Sequence, residues 1–199
     1  MTVRGMAAIL GLAAAAAPGM AAACALQLIL AVDVSGSVDD REFTLQTEGM
    51  AQAFETPSVL RAVAAQKGGV LATVTQWSGR SRQKQITGWF LLQEPADMSA
   101  FATAIRRGGR DWRNYSTAIG DALTHARSVG LTAPAECKRK VIHVSGDGVS
   151  NEGAAPRGVA DLLAAEGYTI NGLVIRGDSP DPVAFYETEV LAGPRAFLE

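Results

Sequence analysis

Two apolar runs that stop abruptly at an acid constrain this chain more than any other feature. Leu26 to Val32 is apolar apart from Gln27 and ends at Asp33; Val141 to Ser145 ends at Gly146-Asp147-Gly148. Short apolar runs bounded by turn residues read as strands buried on both faces, the kind found in parallel sheets with helices above and below. Between and after them, helical and strand periods alternate. Asp39 and Glu42 are spaced as a capping pair, and Phe43, Leu45, Met50, Ala53 and Phe54 continue on a helical period, predicting a helix from Asp40 to Glu55. Pro57 to Ala65 is a second helical piece, closed by Gly68-Gly69. Val70 to Trp77 and Ile86 to Leu91 read as two strands joined by a polar turn, hence antiparallel. Asp97 to Arg106, Thr117 to Val129, Pro156 to Glu166 and Pro182 to Leu191 read as helices, and Thr169 to Ile175 as a strand. This alternation predicts an α/β, doubly wound (Rossmann-like) domain: a central mostly parallel sheet with one antiparallel edge strand and helices on both faces.

The N-terminus has the order of a secretory signal: Arg4, an apolar stretch from Met6 to Ala17, Pro18-Gly19, then Ala21-Ala22-Ala23 before Cys24. Cleavage is expected after Ala23, leaving 24–199 as one domain in the periplasm or secreted. A membrane anchor is the rival reading, since a spanning helix needs about 20 apolar residues; Pro18 and Gly19 interrupt it, and the first strand needs the end of the run. Export places Cys24 and Cys137 in an oxidising compartment. Ala-Ala-Ala-Cys is also a degraded lipid-attachment box, so a lipid on Cys24 is an alternative. With 48% hydrophobic residues and a net charge of -2, the chain is neither disordered nor a bulk-charge binder of nucleic acid.

In open α/β sheets ligands collect at the carboxyl ends of strands. Asp33 ends the first strand, and Ser35 and Ser37 follow at alternate positions around Gly36; Asp147 ends another strand between two glycines, and Thr117 opens a helix after a flexible loop. Carboxylates and hydroxyls without His or Cys form a hard-donor set suited to Mg2+, or to Mn2+ or Ca2+, and poor for zinc. With few carboxylates bound directly, the cation's charge is under-neutralised, and an open position attracts an acidic side chain from a protein partner.

Asp33-Val34-Ser35-Gly36-Ser37, Thr117 with Ala122-Leu123 downstream, and Asp147-Gly148 resemble the D-x-S-x-S, Thr and Asp-Gly elements of the von Willebrand factor A (vWA) domain, from about Leu26 to Ile175. The resemblance implies a metal-ion-dependent adhesion site (MIDAS), with Ser35, Ser37 and Thr117 as direct ligands and Asp33 and Asp147 acting through water. Trp77-Ser78-Gly79, Thr117-Ala118-Ile119-Gly120 and Val144-Ser145-Gly146-Asp147-Gly148 more narrowly resemble an exported bacterial branch catalogued as domain of unknown function 1194. Two departures stand out. Asn114-Tyr115-Ser116 replaces the family's usual glycines. The sequence stops at Phe197-Leu198-Glu199, where the family begins a last strand and a terminal helix, so an exposed sheet edge is expected. In the implied fold the two acid-terminated strands are nearest neighbours. Cys24 and Cys137 precede their aspartates by similar distances, so the cysteines face each other as a disulfide.

A catalytic reading pairs Ser37 or Ser145 with His125 or His143. Neither serine lies in G-x-S-x-G, His143 falls inside a strand, and Ser35 replaces the second acid of a D-x-D phosphatase, so no catalysis is expected. The other alternative is a structural envelope domain with a vestigial metal site. Trp77, Trp112 and Tyr115 are candidates for a partner-binding rim, because aromatics dominate interface hot spots, while Trp77 fits the core equally well. Arg80, Arg82, Arg106, Arg107, Arg110 and Arg113 read first as a solvated surface and second as a ring around the binding face, and Arg176-Gly177-Asp178 as a turn.

Overall fold

The computed structural model describes residues 24–175 and 181–199, so the leader at 1–23 and the turn at 176–178 lie outside the described residues. Among the described residues six strands form one sheet: β1 (Cys24–Asp33), β2 (Val70–Trp77), β3 (Gln83–Gln85), β4 (Phe90–Leu92), β5 (Cys137–Gly146) and β6 (Tyr168–Val174). The order is β3-β2-β1-β5-β6, with β4 also pairing with β2; β2, β1, β5 and β6 are parallel, and β3 and β4 are antiparallel to β2.

The strand period of two sends side chains alternately to two cores. Ile29, Ala31, Ile142, Val144 and Ile170 pack against α4 (Ile119–Gly130) through Ile119, Leu123 and Ala126, and against α5 (Pro156–Ala165) through Ala160 and Leu163. On the other face Val32, Val70, Ala72 and Val74 meet α1 (Asp40–Glu55), α2 (Pro57–Ala64) and α3 (Pro95–Arg107). There Phe54 and Phe101 meet edge to face at 4.9 Å, the arrangement aromatic quadrupoles favour. The sheet is thus doubly wound, as the sequence predicts. Among the described residues nothing covers this second face over β5 and β6, and Leu28, Leu30, Leu45, Leu173 and Phe197 line a groove of about 510 Å³.

Three elements differ from expectation. The strand predicted from Ile86 to Leu91 is cut back to its end, β4, because the Thr87 side chain intrudes in the ladder: Val74 N donates to Thr87 Oγ1 at 2.9 Å and Thr73 Oγ1 donates to Thr87 O at 3.0 Å; β3 falls in the polar segment read as the turn. The helix predicted from Pro182 to Leu191 is a single turn, α6 (Val183–Phe185), running into a π-helical turn, Tyr186–Val190. The outer edge of β6 is not bare. Ile170 N donates to Ala192 O at 2.8 Å, Gly172 N to Phe197 O at 3.0 Å and Val174 N to Glu199 O at 2.8 Å, which corrects the expected exposed edge.

Cys24 and Cys137 sit opposite each other in the β1–β5 register with Cα atoms 4.4 Å apart, joined by a disulfide. The bond consumes the Cys24 thiol, leaving none for a lipid. Among the described residues no helix is long and apolar enough to cross a membrane.

Candidate metal centre

β1 delivers Asp33 fully buried at its carboxyl end. The chain then turns because Ser35 N donates to Asp33 Oδ1 at 2.7 Å, an Asx turn that a short carboxylate makes readily. Helix α1 starts on its own cap: Glu42 N donates to Asp39 Oδ1 at 2.7 Å and Asp39 N to Glu42 Oε2 at 2.9 Å. Asp39 thereby relieves Ser37 of capping. Ser37 Oγ instead donates to Asp147 Oδ1 at 2.6 Å, linking the end of β1 to the end of β5.

Thr117 does not open α4, as its sequence position predicts; the helix begins at Ile119 with Ala118 as N-cap. Its side chain is turned to the centre instead, where Thr117 Oγ1 lies 3.3 Å from Ser35 Oγ, itself 3.3 Å from Ser37 Oγ. The backbone of Thr117 is held by the loop after Asp147: Thr117 N donates to Asn151 Oδ1 and Asn151 N to Thr117 O, both at 2.9 Å. Ser35, Ser37, Thr117 and Asp147 therefore form one connected set of oxygens, with Asp33 behind it. Hydroxyl oxygens on adjacent corners of an octahedron lie about 3 Å apart around Mg2+ and about 3.4 Å apart around Ca2+. The observed spacing falls between, and the donor set fits a hard divalent cation. Among the described residues no group of three or more His, Cys, Asp or Glu side chains could hold a metal, so any site here depends on its hydroxyls.

Burial pushes the Asp33 carboxyl up from its ordinary value to about 7, against the lowering effect of its hydrogen bonds from Ser35. Among the described residues Asp33 Oδ2 has no hydrogen-bond partner, nor do the buried Tyr186 Oη and Trp77 Nε1. A Cβ on Gly146 would lie 2.5 Å from Tyr186 Oη and 2.9 Å from Asp33 Oδ2, so only glycine fits between them.

Arg110 was read as a solvated surface residue and is not one. Its side chain is 4% exposed. Nη2 donates to the carbonyls of Val34 (3.3 Å), Ser35 (3.1 Å) and Val38 (2.6 Å), and Nε to Trp112 O at 2.9 Å. It staples the Ser35–Ser37 turn to the loop that precedes Thr117. Gly36 N adds a second tie, donating to Tyr115 O at 2.8 Å, and a Cβ at Gly36 would crowd Asn114 Cα at 3.2 Å.

Of the expected rim, Tyr115 is 43% exposed and Trp112 half-buried. Trp77 is fully buried in the core under β2 and cannot be a rim residue; its inward position on a strand covered on both faces is the reason. The serines of the catalytic reading are otherwise engaged: Ser37 Oγ with Asp147 and Ser145 Oγ with Gln46 Oε1 at 3.2 Å. Burial lowers both His125 and His143 below the ordinary imidazole value.

The fold recurs in solved structures at low identity. Proximal thread matrix protein 1 from the mussel byssus, with a zinc-occupied MIDAS motif, superposes with a TM-score of 0.62 at 21% identity over 89% of this chain and 42% of that one. The pilus adhesin SpaC from Lactobacillus rhamnosus GG, in its open conformation, gives 0.61 at 12% identity over 90% of this chain and 28% of that one. An aerotolerance-related membrane protein from Bacteroides fragilis gives 0.52 at 17% over 75% and 67%. The chain thus spans less than half the length of the mussel and pilus proteins. No curated protein matches the sequence. The profile of the family described as "Protein of unknown function (DUF1194)" matches residues 23–199, and with its vWA-like fold this chain belongs to that family.

Proposed function

We propose that this protein is an exported, non-catalytic, metal-ion-dependent protein-binding module of the adhesion type. Ser35, Ser37 and Thr117 are assigned as direct ligands, with Asp33 and Asp147 acting through water. The observation that carries the reading is the connected set of hydroxyls and carboxylates at the ends of β1 and β5, with Ser37 Oγ 2.6 Å from Asp147 Oδ1. The cation is assigned as Mg2+, or Mn2+ or Ca2+, on the hardness of the donors. The zinc-occupied motif of the mussel protein makes Zn2+ a necessary competitor in any test. When bound, the cation supplies an under-neutralised positive centre that accepts a carboxylate from the partner. Arg110 holds the Ser35–Ser37 turn, Asn151 holds Thr117, and Tyr115 and Trp112 stand at the rim. The mature domain is assigned to 24–199, in the periplasm or secreted; the disulfide supports an oxidising compartment.

The test is capture of proteins from an envelope extract by the mature domain, with and without chelator, beside Thr117→Ala. Capture lost to chelator, lost in the variant, and lost to an excess of an aspartate-containing peptide supports the reading. Capture by Thr117→Ala in chelator equal to capture by wild type without chelator contradicts it.

A further inference from the structure

Beside the proposed metal centre stands a guanidinium that is fixed in place and, among the described residues, has no carboxylate to pair with. Arg82 ends the turn that follows β2. Ser78 N donates to Arg82 O and Arg82 N to Gly79 O, both at 3.0 Å, with Ser81 in the left-handed region at φ 64°. That turn is tied to the segment carrying Thr117: Ala118 N donates to Ser78 O at 3.1 Å and Ser78 Oγ to Ser116 O at 3.2 Å. At its other end the Arg82 guanidinium carbon stacks 3.7 Å from the centre of the Tyr115 ring, two residues before Thr117. Root and tip are therefore both fixed against the residues flanking a proposed ligand.

Several of the surrounding charges are matched, although among the described residues Arg80 and Arg107 also make no ion pair. Lys84 pairs with Asp111, Arg106 with Glu48 and Glu55, and Arg113 and Arg110 with Asp40. Glu152, the acid near this turn, accepts from the backbone N–H of Arg80. Among the described residues Arg82 has no ion pair; besides the ring, its guanidinium donates to Arg80 O at 3.4 Å. An arginine stacked on an aromatic ring has its planar fork oriented in advance, so little rotamer freedom is lost when it takes a carboxylate.

We propose that Arg82, held on Tyr115, is a second anion-binding point, and that the partner presents an acidic peptide segment with two carboxylates: one at the cation, one at Arg82. The inference rests on the metal-dependent binding reading and adds the charge pattern of the ligand. The test uses fluorescent glycine peptides carrying one aspartate, or two aspartates separated by one to four glycines. They are titrated with the mature protein and with Arg82→Gln and Tyr115→Ala in saturating Mg2+; single-aspartate affinity is the internal reference for each variant. At one spacing the two-aspartate peptide is expected to bind wild type roughly fivefold more tightly than the single. Both variants are expected to lose that advantage. No advantage at any spacing, or an advantage that survives Arg82→Gln, overturns the second point while leaving the metal reading standing. Failure of the single-aspartate peptide to bind wild type in Mg2+ overturns both.

Discussion

Asp33 shows how one side chain can oppose the burial that its strand imposes. The run from Leu26 predicts a strand covered on both faces, and its last residue is carried under with it, so burial pushes the Asp33 carboxyl up to about 7. The metal-free folded protein then holds a proton that the unfolded chain has released. Stability from this group is fully present below its ordinary value of 3.8 and is lost as the pH rises through about 7. We expect the urea midpoint of metal-free protein to carry a component that falls between about pH 4 and pH 7.5. Asp33→Asn should lack it, and an identical pH profile in the two proteins would refute the assignment. At this scale the sequence was most legible where partners are local. Asp39 and Glu42 form their capping box three residues apart, and Asp33 meets the amide of Ser35. Arg110 was illegible because three of the carbonyls that hold it lie more than 70 positions away, which no residue type advertises. Trp77 was misread for a related reason: a tryptophan on a strand edge and one under a helix look alike until the strand's neighbours are known.

Elements were readable where an apolar run met a sharp stop. β2 was expected over Val70 to Trp77 and α1 over Asp40 to Glu55, and both are found there. β5 was read from Val141 but starts at Cys137, since Lys138, Arg139 and Lys140 break the apolar pattern at the end of the strand where side chains reach solvent. Thr87 cut back the predicted β-hairpin strand because its hydroxyl takes the place of a backbone acceptor, a competition that propensity does not express. The pairing of Cys24 with Cys137 was inferred from the family's strand order together with the matched spacing to Asp33 and Asp147, and the two residues face each other in the register. The bond closes a separation of 113 residues. A loop of that order is worth up to about 4.7 kcal/mol by restricting the unfolded chain. We therefore expect the double substitution Cys24→Ser, Cys137→Ser to lower the unfolding free energy by several kcal/mol, to within that bound, with far-UV dichroism unchanged. Denaturation midpoints of oxidised and reduced wild type that coincide would show that the bond contributes nothing to stability.

For the molecule as a whole, alternating strands and helices were sufficient to predict a doubly wound sheet, since parallel strands need crossovers and right-handed crossovers place helices on both faces. The sequence did not disclose how the last residues are used, because Ala192 and Phe197–Glu199 pair with β6 through backbone groups that carry no side-chain pattern. Nor did it disclose the open groove beside α1, which arises from what the second face lacks over β5 and β6. The oxygens of the proposed centre come from three separate stretches, residues 33–37, 117 and 147, and only this fold brings them together. The central claim is that these oxygens bind a divalent cation, and titration calorimetry of the mature protein with Mg2+, Mn2+, Ca2+ and Zn2+, beside Thr117→Ala, tests it most directly. The account predicts saturable binding of at least one of the hard cations with Zn2+ weaker, a stabilisation of about 2.7 kcal/mol at 100 times the dissociation constant, and loss of both in the folded Thr117→Ala protein. No heat and no stabilisation with any of the four, or equal binding by Thr117→Ala, would contradict it.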